Sequence, residues 1–275
     1  MTMKHIWIYW HQGWDQAPSL VKECKSSWAS LNPDYEIHAL DQTSLFEHIN
    51  FPAGIDIRRK DLTIQKVSAL GRLALLLKYG GIWTDATVMC VRPLSAWLEE
   101  YYGSRFFAFR NPGKDRLMSN WFIAAESGNI ILRRMYENFS DFYLNNNFVN
   151  QGTTLGDALL KTFSACWNKN VRTSPKWHSW FARKVLRIYP YFIFHYTFNK
   201  LIQDDQECAK LWYDAKPFSA DAPHRLQVFE KSEDSISKAK REIDDCNTPM
   251  YKLDWRIDSS NSYFSFILSY LRRQS

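Results

Sequence analysis

The stretch "LGRLALLLKYGGIWTDATVMCVRP", Leu70 to Pro93, constrains this chain more than any other. Val67, Leu70, Ala74 and Leu77 fall at helical spacing, and the helix they predict stops at Gly80-Gly81, since glycine accepts the left-handed backbone that closes a helix. A strand-like run follows at once, carrying a single carboxylate, Asp85, among apolar and hydroxyl neighbours. If the strand runs straight through "IWTDATVMCV", Asp85 and Thr87 share one of its faces. Desolvating a carboxylate there costs several kcal/mol unless a cation or hydrogen-bond donors meet it. From spacing alone, backbone amides at a strand end answer that need as well as a ligand does.

Around this stretch the pattern is that of an α/β fold. "HIWIYW" reads as a buried strand, and Leu20, Cys24, Trp28 and Leu31 keep helical step over Ser19 to Leu31 until Asn32-Pro33 stops them. "YEIHALD" then reads as a second strand. Strand, helix, strand predicts a mostly parallel sheet flanked by helices, with ligands received at the C-terminal strand tips. "RFFAF" and "NWFIAA" predict further strands and Ile130 to Leu144 an amphipathic helix, and from about Gly156 onward the chain reads as mainly helical.

Composition narrows the function classes. The 275 residues can bury one large domain, with or without a helical appendage. Five scattered cysteines without Cys-x-x-Cys spacing point to a reducing cytosol and against a cysteine zinc site. "WFARKVLRIYPYFIFHYTFNK" is interrupted by Arg183, Lys184, Arg187, Pro190 and His195, so it does not predict a membrane span, and the N-terminus lacks a signal-peptide apolar region. The net charge of +6 is spread over Arg58-Arg59-Lys60, Arg183-Lys184, Lys238-Lys240-Arg241 and Arg272-Arg273. Two of these groups adjoin the aromatic runs "IYPYFIF" and "YFSFILSY", which suits an anionic membrane surface, with solvated helix faces as the plainer reading. No nucleic-acid-binding pattern is present in the sequence, so nucleic acid is not an expected partner.

"YGGIWTDATV" resembles the "YGGIY-D-D-V" signature of retaining sugar transferases with a DXD motif. It is more similar still to the bacterial capsular polysaccharide synthesis proteins, whose motif carries Asp-Ala-Thr. The likeness extends in order through "WHQGWDQAP", "SWASLNPDYEIHALD", "KVSALGRLALLLKYGG", "SNWFIAAESGN", "YFIFHYTFNKL" and "SADAPHRLQ". The resemblance implies a GT-A fold, a Rossmann-like sheet that binds a nucleotide sugar. The chain is then expected to divide into residues 1–230 as catalytic domain, with a helical acceptor-side insert, and 231–275 as a C-terminal helical segment that is a candidate for membrane contact. Asp85 then stands at the first DXD aspartate, serving the ribose and the metal-diphosphate, and Thr87 stands where the second, metal-binding carboxylate is usual. Related enzymes often carry Ser-Asp-x-x-Arg upstream; here Ser68-Ala69-Leu70-Gly71-Arg72 keeps Arg72 and replaces the aspartate by Ala69.

The same resemblance places Tyr9, Trp10 and Gln12 at the nucleobase, with core packing expected for one of the two rings, and Asn120 at the donor sugar or acceptor, where a turn role is equally natural. Asp221 and His224 are the late-loop candidates for the metal or diphosphate. His195 is either a satisfied core histidine or an acceptor contact. The expected cofactor is Mn2+ or Mg2+, held weakly for want of a second carboxylate; the alternative is a metal-free site where Arg72 or a lysine neutralises the diphosphate. The expected activity is transfer of a hexose from a UDP-sugar, with retention, to a lipid-linked oligosaccharide of capsule or O-antigen synthesis at the cytoplasmic face of the inner membrane. A protein or small-glycoside acceptor, or a catalytically weak carbohydrate-binding relative, are the rivals. The oligomeric state is not legible in the sequence. Asp85→Asn is expected to abolish transfer with little cost to the fold.

Overall fold

The computed structural model describes residues 4–52, 54–56, 62–230, 234–245, 248–256 and 261–273. The basic group Arg58-Arg59-Lys60 and Cys246 lie outside the described residues. The N-terminal half runs β1 (His5–Tyr9), α1 (Ser19–Leu31), β2 (Glu36–Leu40), α2 (Gln42–His48), α3 (Ile64–Tyr79), β3 (Gly81–Asp85), β4 (Val88–Cys90), α4 (Leu98–Tyr101), β5 (Phe106–Gly113), β6 (Arg116–Ala125) and α5 (Ile130–Leu144). The remainder runs α6 (Thr154–Trp167), α7 (Ile193–Asp204), α8 (Gln206–Asp214), α9 (Arg225–Phe229), α10 (Ser235–Asp244), β7 (Met250–Lys252) and α11 (Ser262–Arg272).

The main sheet has five strands in the order β2-β1-β3-β6-β5. β1 is parallel to β2 and to β3, β3 is antiparallel to β6, and β6 to β5, so four strands share one direction and β6 alone opposes them. The expected mostly parallel α/β sheet is therefore present. Its register pairs Tyr9 with Asp85 and Tyr9 with Leu40, which brings the ends of β1, β2 and β3 level at one edge. The helix α3 is buried on nearly all sides, from Lys66 and Val67 through Leu76, which its small residues permit. A Cβ at Gly71, for example, would stand 3.1 Å from Leu45 Cδ2.

Two expectations change. "IWTDATVMCV" is not one strand: β3 ends at Asp85, Ala86 and Thr87 turn, and β4 leaves the main sheet to pair antiparallel with β7. A continuous strand would have carried Val88 to Cys90 along the main sheet, whereas here those residues are buried against the α1 side, where Val88 O accepts from Trp28 Nε1 at 2.9 Å. The residues after 230, expected to be helical, also contain a strand. β7 completes the two-stranded sheet, and Tyr263, Ile267 and Leu271 of α11 pack with Leu20 and Cys24 of α1 in a separate apolar cluster.

Candidate active site

At the level edge of β1 and β3 opens a cavity of about 580 Å³. Its floor is Asp85, Ala86 and Thr87, and one wall is the face of α3 that carries Lys66, Ala69 and Arg72. Tyr9 to Gln12, Ser119 to Trp121, the residues Tyr191, Phe192, Phe194 and His195, and Lys252 to Arg256 close the other sides. Tyr9, Trp10, Gln12, Arg72, Asp85, Thr87, Asn120, His195 and His224 thus converge on one space, although they are scattered over the chain. Asp221 is the exception; it is exposed and does not line the cavity.

Asp85 is the electrostatic centre. Its side chain is only 28% exposed, and both oxygens are engaged: Oδ1 accepts from Trp83 Nε1 at 3.1 Å and faces Arg72 Nη2 at 3.4 Å, and Oδ2 accepts from Lys252 Nζ at 3.3 Å. Burial alone would raise the pKa of this carboxyl, but Lys252 and then Arg72 outweigh it, and the group is held below the ordinary carboxylate range. Arg72 is buried, donates to the Asn120 carbonyl and to Ser68 Oγ, and lies over the Trp83 ring at 4.9 Å. Arg72 keeps its charge in a buried place because carboxylate, carbonyl and ring faces all meet it.

Lys252 has no counterpart among the expected site residues. Its ammonium donates to Thr87 Oγ1 as well as to Asp85, so the side chains at positions 85 and 87 are joined by a cation from the far end of the chain. Its position is set by backbone: β7 pairs Lys252 with Val88, and Leu253 N donates to Thr87 O at 2.8 Å. No local pattern in "MYKLDW" reveals this. Lys66 did carry a signal, since Lys66, Ala69 and Arg72 are three apart and share a helix stripe. Lys66 is 5% exposed, donates to Tyr191 O at 2.6 Å, and is pushed down to about 7 by burial and then by Arg72.

The remaining candidates divide by environment. Tyr9 is buried in the core with its hydroxyl on His11 Nδ1 at 2.8 Å, while Trp10 stands at the rim against Trp255, ring centroids 5.6 Å apart and nearly perpendicular. The Trp10 indole N–H and Ser119 hydroxyl are buried on the cavity wall without a partner among the described residues, which is where a ligand's polar atoms would be met. His195 is buried and stays neutral, its pKa lowered well below the ordinary value by burial and then by Arg116, Lys66 and Arg72. Arg116 is set by Asp115 at 3.2 Å and lies over the Phe192 ring at 3.9 Å. Among the described lining residues, the cations Lys66, Arg72, Arg116, Lys252 and Arg256 outnumber the carboxylates Asp85 and Asp254. Such a cavity favours an anion.

The donor set does not fit a hard divalent ion as it stands. Asp85 and Thr87 are both committed to Lys252. His224 Nε2 accepts from Trp121 Nε1 at 3.1 Å while its Nδ1 meets Gln227 Oε1 at 2.9 Å, so neither ring nitrogen is free. Among the described residues, the grouping His5, Glu36 and His38 is the one with ligand atoms close enough to share an ion. It lies at the start of β1, about 13 Å along the strand from Tyr9.

Over residues 1–162 and 171–271 the chain matches the family described as "Capsular polysaccharide synthesis protein". It is 31% identical to the O-glycosyltransferase braB of Annulohypoxylon truncatum over 159 residues, which make up 51% of this chain and 38% of that protein. It is 27% identical over 154 residues to the O-glycosyltransferase PaGT of Phomopsis amygdali, covering 50% of this chain and 38% of that protein. The glycosyltransferase afumC of Aspergillus fumigatus is 29% identical over 158 residues, covering 50% and 39%. The match thus spans about two-fifths of the length of these curated relatives. Among solved structures, the PaToxG glycosyltransferase aligns with 90% of this chain and 88% of its own at a TM-score of 0.40 and 14% identity. Because the family match runs through both halves of the chain, including β3, β4 and β7, the chain belongs to the capsular polysaccharide synthesis protein family.

Proposed function

We propose that this protein is a glycosyltransferase that moves a hexose from a nucleoside-diphosphate sugar, UDP-linked, to a hydroxyl of a glycan acceptor. One observation carries the reading: the Arg72–Asp85–Lys252 cluster on the floor of an aromatic-walled, net cationic cavity at the C-terminal strand tips. Family membership and the transferase names of the relatives support it. In the reaction the bond between the anomeric carbon and the β-phosphate oxygen breaks, the electron pair leaves with the nucleoside diphosphate, and the acceptor oxygen bonds to the carbon and loses its proton. Fixed cations at the floor lower the cost of the charge that develops on the leaving group. Trp10 and Trp255 offer ring faces for the base, and the neutral His195 and Asn120 line the sugar and acceptor side. Retention of configuration, a GT-A frame and a lipid-linked acceptor at the inner face of the cytoplasmic membrane complete the proposal.

The curated relatives named O-glycosyltransferases favour a second reading for the acceptor, a protein or small glycoside hydroxyl instead of a capsule or O-antigen intermediate. Incubation with a panel of nucleotide sugars, scored first by thermal shift and then by sugar release without acceptor, tests the activity. A ligand at about 100 times its Kd raises stability by roughly 2.7 kcal/mol. Absence of both a shift and sugar release for every donor would refute the reading, and the anomeric configuration of the first product tests retention.

A further inference from the structure

We infer that Lys252 takes the place of a divalent cation: held between Asp85 and Thr87, its ammonium neutralises the diphosphate of the nucleotide donor, so that donor binding needs no metal. The inference rests on the nucleotide-sugar reading above and concerns how that same site meets the diphosphate.

The Lys252 ammonium already has Asp85 and Thr87 as its oxygen partners, the two side chains that the motif positions for a metal. Lys252 is no mobile surface chain. Its side chain is 18% exposed, and the strand pairing with Val88 and the Leu253 N to Thr87 O bond fix its backbone on both sides. The residue at position 87 then has a reason. A threonine hydroxyl accepts from an ammonium without adding charge, so Asp85, Arg72 and Lys252 sum to one net positive charge facing the cavity. A carboxylate at position 87 would cancel that local charge unless a divalent ion restored it. An ammonium is a compact point charge suited to phosphate oxygens, and Arg72 and Lys66 stand nearby on α3 to share the anion. The other candidate ligands point the same way, since His224 is bonded at both nitrogens and Asp221 lies outside the cavity lining.

The test is calorimetric titration of the full chain with UDP, GDP and uridine, in EDTA and in Mn2+. It uses wild type, Lys252→Met, Lys252→Arg and the double variant Thr87→Asp/Lys252→Met. Wild type is expected to bind its nucleoside diphosphate within about twofold in the two media, and Lys252→Met to lose about tenfold or more in diphosphate affinity with uridine unaffected, a change of about 1.4 kcal/mol. Lys252→Arg is expected to retain metal-free binding, and the double variant to recover affinity only when Mn2+ is present. Wild-type diphosphate affinity that drops about tenfold in EDTA overturns the inference while leaving the nucleotide site intact. A folded Lys252→Met with undiminished affinity overturns it too. If Lys252→Met does not fold, the wild-type and Lys252→Arg titrations in EDTA still decide. Failure of wild type to bind any of the three compounds in either medium refutes the nucleotide-site reading, and the inference with it.

Discussion

Asp85 does more for the fold than its place in a motif implies. It is the anion that Arg72 and Lys252 both face, so Asp85→Asn leaves two largely buried cations without their counter-charge. The expectation of a silent change in stability is therefore replaced: at neutral pH the variant should lose roughly 1–3 kcal/mol as well as activity, measured by urea unfolding. Because the folded pKa of Asp85 is depressed, its contribution is present above the ordinary carboxylate range and is lost as pH falls through the folded value. The gap between wild type and Asp85→Asn should accordingly close in acid. Lys66 has the opposite sign. With its pKa lowered to about 7, the folded state disfavours the proton that the unfolded chain still binds, so the penalty is full below about pH 7 and shrinks as pH rises toward the ordinary lysine range. Lys66→Met should stabilise the protein at pH 6 by roughly 1–3 kcal/mol and by much less at pH 9.5. An equal effect at both pH values would show that the lysine is not strained by burial.

Between α3 and β3 the chain has to turn from helix to strand within two residues while passing close to neighbouring backbone. Gly80 and Gly81 have φ of 70° and 97°, and a Cβ at Gly81 would come 2.5 Å from the His5 carbonyl oxygen. The carbonyl of Gly80 is also used, accepting from Trp7 Nε1 at 3.0 Å. Gly81→Ala therefore combines left-handed strain with a backbone collision, and it should cost more than about 2 kcal/mol by thermal or urea unfolding. The damage should reach the site as well, since any displacement of β3 moves Asp85 away from Arg72 and Lys252. A Gly81→Ala protein with wild-type stability would mean that this turn has more freedom than its geometry allows.

Across the whole molecule, the C-terminal segment closes the site from behind. Truncation after Glu230 removes β7, and with it Lys252, and uncovers Leu20, Cys24 and Met89 from the α11 side. The truncated chain should fail to give a cooperative unfolding transition; a folded, nucleotide-binding 1–230 fragment would show instead that residues 1–230 stand as a unit. The surface also sorts the two basic-aromatic segments. Trp180, Phe181 and Val185 are 67%, 41% and 46% exposed beside Arg183 and Lys184, whereas α11 turns Tyr263, Phe264 and Ile267 inward and its Arg272 pairs with Glu23 at 3.1 Å. No helix among the described residues is long and apolar enough to cross a membrane. Contact with an anionic bilayer, if the acceptor is lipid-linked, should then run through the first segment: Trp180→Ser/Phe181→Ser should lower co-sedimentation with anionic vesicles several-fold, and Arg272→Ser should not. Binding of wild type should weaken with salt.

Local pattern was enough for the elements whose signal is short-range. The helix stripe from Val67 to Leu77, its glycine stop, the strand–helix–strand opening and the placement of Asp85 in the strand that follows Gly80-Gly81 all follow from period and breaker residues. The motif blocks also carried most of the cavity lining, because they sit where strands end and ends of parallel neighbours come together. What local pattern did not contain was the turn at Ala86–Thr87 that sends β4 into a second sheet, and the partner that this second sheet supplies. Nothing within "MYKLDW" marks Lys252, since strand pairing over more than 160 residues is a property of the packed chain and leaves no periodicity behind. The sequence alone determined that a charge would stand in the strand after Gly80-Gly81; only the tertiary structure ended that strand at Asp85 and decided that its answering cation would come from β7, because a largely buried carboxylate accepts whichever cation the fold brings within reach.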